Sequence, residues 1–208
     1  KTGEVTERWQ KIAKALDSVA LQKDVYASKL FWFTDLEKAK AEAQRTNKPI
    51  LSLRLLGNLN EEFSCANSRF FRAILYPNSQ ISKYLRENYV LHWKSVRPAP
   101  KITIDFGDGR KIERTITGNS IHYVLDKNGT VIDALSGLNS PQLFLEFLQN
   151  GNEFNKHLNI LSVATIDGPG FVSPLTTFRA NKYRELTAQM NRFSEKLNLK
   201  FDTTQKAA

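Results

Sequence analysis

The chain has 208 residues, 41% of them hydrophobic and 25% charged, which is enough apolar side chain for a packed core and excludes wholesale disorder. Its 30 Lys and Arg against 21 Asp and Glu leave a net charge of +9, yet no run of five or more basic residues occurs, so nucleic acid is not an expected partner. A single cysteine, Cys65, excludes an internal disulfide and a cysteine-based zinc site, and His92, His122 and His157 are too scattered for metal-ligand spacing, so no metal or cofactor is expected.

No stretch approaches the roughly 18 apolar residues of a membrane span. The sequence opens at Lys1 without an initiator Met. Two origins fit that start: signal-peptide removal, which implies a periplasmic or secreted protein, or trimming, which leaves a cytoplasmic one.

Residues 4–21 read as an amphipathic helix, with Trp9, Ile12, Ala13, Leu16 and Val19 at helical spacing. Such a stripe needs a partner, so the helix is expected to dock. Leu30-Phe31-Trp32-Phe33 reads as a short aromatic strand. Thr34 is the expected cap of a second helix, with Glu37 completing a capping box, and the helix runs to about Thr46. After Asn47-Lys48-Pro49 the run Ile50-Leu51-Ser52-Leu53-Arg54-Leu55-Leu56 suits a buried central strand.

A polar loop, 57–63, carries the adjacent carboxylates Glu61 and Glu62, read as a solvated loop rather than a paired acid site. Ser64 is the expected N-cap of a helix starting at Cys65, whose buried face is marked by Phe70, Phe71, Ile74 and Leu75. A helix over 79–88 and a strand over 89–96 follow. Segments 101–106 and 111–117, joined by Gly107-Asp108-Gly109-Arg110, predict a β-hairpin, and 121–125 with 130–135 predict a second. The acidic Asp105-Phe106-Gly107-Asp108-Gly109 reads as a turn, since it lacks the further ligands of a calcium loop. Pro141 opens a helix to about Gln149. Residues 151–174 read as a long connection, 176–197 as a last amphipathic helix with an apolar stripe at Tyr183, Leu186, Met190, Phe193 and Leu197, and 200–208 as a mobile tail.

This order of elements implies a mixed sheet flanked by helices. Trp32, Leu36-Glu37-Lys38-Ala39 and Asn47-Lys48-Pro49-Ile50-Leu51 resemble the opening of bacterial thioredoxin-family proteins. Tyr123-Val124-Leu125-Asp126-Lys127-Asn128-Gly129-Thr130-Val131-Ile132 resembles their closing hairpin, and Gly137 and Pro141 follow in the family's order. The resemblance spans about 31–149. It implies an α/β thioredoxin-like three-layer sandwich: a central mixed β-sheet flanked by helices, with an inserted β-hairpin and extra N- and C-terminal helices. The implied division is an N-terminal helical extension over 1–29, a thioredoxin-like domain over 30–150, and a C-terminal connection and helix over 151–208.

Departures from the family pattern bear on function. The helix that carries Cys-x-x-Cys in redox-active members begins here Ser64-Cys65-Ala66-Asn67-Ser68, so Cys65 matches the first cysteine and Ser68 stands at the second. Ser120, within Asn119-Ser120-Ile121, stands where the family has a cis-proline.

A thiol at a helix N-terminus meets the positive end of the helix dipole, which favours thiolate. Ser68, one turn on, is expected to donate to the sulfur, with Ser64, Asn67, Arg69 and Arg72 around it and the Asn119-Ser120 loop facing it. Cys65 and Ser68 would then form a monothiol site for mixed-disulfide or peroxide chemistry, without dithiol reduction. The other reading makes Cys65 a small buried apolar residue and the fold a non-catalytic binding or scaffold module using its added helices and hairpin. The partners implied are a protein or a small thiol, or a second copy of the chain. His122 is read as a sheet-face residue; Trp93, Arg97 and the aromatic strand as packing around the sheet.

Overall fold

The computed structural model describes residues 6–161 and 173–197, and of residues 160, 161 and 197 the backbone only. The chain divides into two compact units, Lys1–Asn159 and Ile160–Ala208.

In the first unit, helix α1 (Glu7–Ala20) starts under the Thr6 hydroxyl, which accepts the Trp9 N–H at 3.3 Å, and ends at Leu21 in the left-handed region. The expected docking is partial, with Trp9 edge-on to the Tyr26 ring at 5.6 Å. Ala20 is buried, while Trp9, Ile12, Leu16 and Val19 are exposed. Just beyond, Gln22 is buried between the Trp32 indole N–H, which donates to its Oε1 at 2.7 Å, and Ser28 Oγ, which accepts from its Nε2 at 2.8 Å. A four-residue helical turn, α2 (Val25–Ser28), completes this corner. The aromatic segment is a single bridge rather than a strand: Phe33 pairs in parallel with His92. Leu30 and Trp32 point inward and Phe31 outward.

Helix α3 (Leu36–Thr46) is capped by Asp35, not Thr34; the Asp35 carboxylate accepts from the Glu37 and Lys38 N–H groups at 2.9 and 3.3 Å. A carboxylate one residue later reaches both orphan donors, so it displaces the hydroxyl. Strand β1 (Ile50–Leu56) is central and buried except at Arg54. Helix α4 (Ala66–Phe70) continues directly into a π-helical turn, Phe71–Leu75. After α5 (Ser79–Asn88) come β2 (Val90–Arg97), β3 (Lys101–Asp105), β4 (Lys111–Thr115), β5 (Ser120–Leu125) and β6 (Val131–Ser136).

Strands β2, β1, β5 and β6 form one mixed sheet in that order. β1 pairs in parallel with β2 and antiparallel with β5, and β5 pairs antiparallel with β6. The two predicted hairpins therefore have different fates. β5–β6 joins the main sheet, while β3–β4 stands apart as a two-stranded ribbon.

The sheet's two faces differ. Leu51, Leu53, Leu55, His122 and Val124 lie on the face that meets Phe71, Tyr76 and Phe144. On the other face Ile50, Val90 and Leu125 pack against Ala39 and Ala43 of α3. Helix α6 (Pro141–Leu161) runs well past the expected end at Gln149. Gly151 lets it approach β5, since a Cβ there would lie 2.9 Å from Val124 Cγ2. The rest of the expected connection, 162–172, lies outside the described residues, as does the tail.

In the second unit, α7 (Pro174–Leu197) is a single long helix on which Tyr183, Leu186, Met190 and Phe193 are exposed. Among the described residues no helix is long and apolar enough to cross a membrane.

Candidate functional site

Cys65 follows the loop that leaves β1 and is itself the N-cap of α4, one position later than Ser64 was expected to be. Its N–H donates to the Leu56 carbonyl at 3.1 Å, which fixes the turn to the end of the central strand. The side chain makes no capping hydrogen bond. The first free helix donor, the Ala66 N–H, is instead taken by the Thr117 carbonyl at 3.0 Å.

Cys65 is 0% exposed. Its Sγ lies 3.7 Å from the Asn119 carbonyl oxygen, an S–H···O contact that uses the thiol proton. The Asn119-Ser120 loop does face the cysteine, as the sequence predicts, but it covers it. Ser68 is also buried, and its hydroxyl donates to the Cys65 carbonyl at 2.8 Å rather than to the sulfur. This corrects the expected Ser68–sulfur bond. A helical serine reaches back along its own turn to the backbone more easily than to a neighbouring side chain.

The remaining predicted residues tighten the same cover. Ser64 is buried; its Oγ accepts from Arg72 Nη2 at 3.2 Å and its carbonyl accepts from the Thr115 hydroxyl at 2.9 Å. Asn67 donates through Nδ2 to Ser120 Oγ at 3.0 Å. A Cβ at Gly118 would collide with Asn67 Oδ1, so only glycine permits this close approach. Arg69 is half-buried and its N–H donates to the Cys65 carbonyl at 3.2 Å.

Arg72 turns inward, 4% exposed, and forms an ion pair with Asp24 at 3.8 Å. Burial lowers its pKa, against the carboxylates of Asp24 and Glu62. The buried face of this helix keeps ordinary helical spacing but is turned by one position from the expected one. Ser68, Phe71, Arg72, Leu75 and Tyr76 are buried while Ile74, expected inside, faces solvent.

Two buried polar pairs escaped the sequence reading. The Tyr76 hydroxyl and His122 Nε2 are 2.8 Å apart, with the imidazole edge-on to Phe71 and Phe144. Burial depresses the His122 pKa to about 3 and raises that of Tyr76 well above its ordinary value. Ser52 Oγ and His92 Nδ1 are also 2.8 Å apart, and burial together with the Arg54 charge lowers the His92 pKa to about 4. Both pairs are sealed in the core, so neither meets a substrate.

The other sequence candidates are structural. Glu61 accepts from Asn58, and Glu62 pairs with Lys23 at 3.3 Å. Asp105 and Asp108 cap the β3–β4 turn and pair with Lys111 and Arg110. Trp93 is buried as expected, but Arg97 is exposed rather than packed. Among the described residues no cluster of His, Cys, Asp or Glu could hold a metal ion.

In contrast to the cysteine turn, the β3–β4 ribbon is exposed throughout except at Thr115. In its register Ile102 faces Arg114 and Ile104 faces Ile112, and Phe106 lies next on the same face, with the Arg110 guanidinium 5.0 Å from its ring centre. Ile104 and Phe106 are 44% and 49% exposed, and Ile116, just beyond, 58%. The opposite face carries Lys101, Thr103, Asp105, Lys111 and Glu113. The base is anchored by Thr115 on Ser64 and by Lys101 over the Phe63 ring. Comparison with known protein families and with curated proteins gives no match to this chain.

Proposed function

We propose that this chain is a thioredoxin-like domain that serves as a non-catalytic binding or scaffold module, with the β3–β4 ribbon as its partner surface. The fold half of the reading is supported by the strand order, by the parallel β1–β2 pair, and by a helix that is the next element after β1, with Cys65 at its cap. The functional half rests on one contrast: the thiol is fully buried under the Asn119-Ser120 loop, while an apolar face with two arginines is held out in solvent. Exposed contiguous apolar surface on an anchored element is a mark of an interaction site.

A monothiol redox role is the second reading. The position of Cys65 favours it, at the cap of the helix after the central strand, matching the first cysteine of the family motif.

Thiol titration separates the two. In the module reading Cys65 of the native protein does not react with a disulfide reagent such as dithionitrobenzoate on the time scale in which the unfolded chain reacts fully. A photo-crosslinker at position 104 then captures a discrete partner that one at position 73 does not. Rapid native reaction, with saturable deglutathionylation lost in Cys65→Ala, would return the monothiol reading.

A further inference from the structure

Arg54 is a cation in the middle of an otherwise apolar central strand. Its Nη1 is shielded from solvent and has no hydrogen-bond partner among the described residues. In register it stands between Ile121 on β5 and Lys94 on β2, so its charged neighbour across the ladder is another cation. Like charges directly opposite each other destabilise a sheet, and a half-buried guanidinium without a partner adds a desolvation penalty. Helix α3 packs at the Ile50 end of the strand, and Tyr123 lies between that cluster and Arg54's cleft.

Arg54 lines a cleft of about 390 Å³ shared with Arg97, Val96, Asn119, Ile121 and Tyr123. No carboxylate is among the described residues that line it. Arg97 approaches from the end of β2, where its register partner is Leu56, so the two guanidinium groups come from adjacent parallel strands. The volume falls within the range of sites for small organic molecules. We propose that this cleft binds a small amphipathic oxyanion, a carboxylate or phosphate carried on an aromatic or aliphatic group. Arg54 and Arg97 take the charged end through charge-assisted hydrogen bonds. Tyr123, Ile121 and Val96 take the apolar body. The anion supplies the partner that the protein does not give Arg54.

The full chain is titrated at low salt by calorimetry and by amide chemical shifts with phenyl phosphate, benzoate, inorganic phosphate and phenol. Phenyl phosphate or benzoate is expected to saturate, with shifts centred on residues 54, 97 and 121–123, and whichever binds more tightly identifies the head group. Inorganic phosphate is expected to bind more weakly and phenol not at all. Arg97→Met, at an exposed position that leaves the fold intact, and Arg54→Met should each weaken binding by about tenfold or more, with Arg54→Lys intermediate and Arg8→Met, on the exposed face of α1, unchanged. If Arg54→Met does not fold, Arg97→Met decides alone. No saturation with either organic anion, equal binding of phenol, or an unchanged affinity in Arg97→Met overturns the proposal.

Discussion

The Cys65 turn and the β3–β4 ribbon touch each other, and they dispose of their side chains in opposite ways. At the turn, Ser64, Cys65, Asn67, Ser68 and Arg72 are buried. On the ribbon, Ile102, Ile104, Phe106 and Ile112 are exposed. Three contacts join them: Thr115 to the Ser64 carbonyl, the Ala66 N–H to the Thr117 carbonyl, and Lys101 over Phe63. Burying polar groups is tolerated at the turn because most of them find a backbone or side-chain acceptor within hydrogen-bonding distance. Exposing apolar groups on the ribbon has no comparable internal compensation, which is why the ribbon and not the cysteine carries the functional reading.

Substitutions on the two sides of this contrast should diverge widely. Phe144→Ala removes a fully buried ring that packs on His122 and Phe147. A loss of about 3–5 kcal/mol in unfolding free energy is expected. Phe106→Ala on the ribbon should change stability by no more than about 0.5 kcal/mol. Denaturant titration of both variants checks the pair. A large loss at Phe106 would mean that the ribbon belongs to the core and is not a free surface.

The buried histidines sharpen the contrast through pH. In the folded protein His92 and His122 have pKa values of about 4 and about 3, below the ordinary 6.5 that the unfolded chain regains. The unfolded state therefore binds more protons below pH 6.5. Stability is fully present above that pH and falls as the pH is lowered toward 4 and then 3. Each unit of depression corresponds to about 1.4 kcal/mol, and both residues act in the same direction. Chemical denaturation at pH 7.5, 6 and 5 should show a steady drop. A flat profile would show that neither imidazole is as sealed as described.

A smaller effect is expected at Gly118. Gly118→Ala would push Asn67 off Ser120 and leave a buried amide short of its acceptor. The expected loss is about 1–3 kcal/mol. In the double variant with Asn67→Ala the two losses should not add, because the collision is gone. Full additivity would place the strain elsewhere. If the Gly118→Ala change also speeds reaction of the Cys65 thiol, the Asn119-Ser120 loop is the cover that keeps it shut.

How far the sequence reaches can be judged element by element. The continuous apolar run of β1, the helix over 79–88 and the two turn-bounded hairpins are local signals, and all appear close to their expected bounds. Helix caps fell one residue away, at Asp35 and Cys65, since several neighbouring side chains can cap and local geometry chooses among them. The stripe on α1 has the helical spacing of a buried face, yet most of it is exposed. Periodicity records that a face could be buried, not that a partner is present.

Cys65 and Ser68 were visible as a motif, while Arg54 stood inside a run read as a buried apolar strand. Their environments were not. The closure over Cys65 depends on Asn119, 54 residues away in sequence, and the lack of a partner for Arg54 Nη1 among the described residues depends on the register of three strands. The sequence by itself determined the strand character of β1, the helical character of α3 and α5 and the two hairpins, because backbone sterics and repeat period act over a few residues; it did not extend α6 past Gln149 or place Ile74 outside. Only the tertiary structure decided which of the two hairpins joined the sheet, that Arg72 and not Ile74 faced inward, and that the thiol was sealed while the ribbon was left open. Those outcomes follow from close packing between segments far apart in the chain, where a single glycine or a shift of one register position decides what is buried.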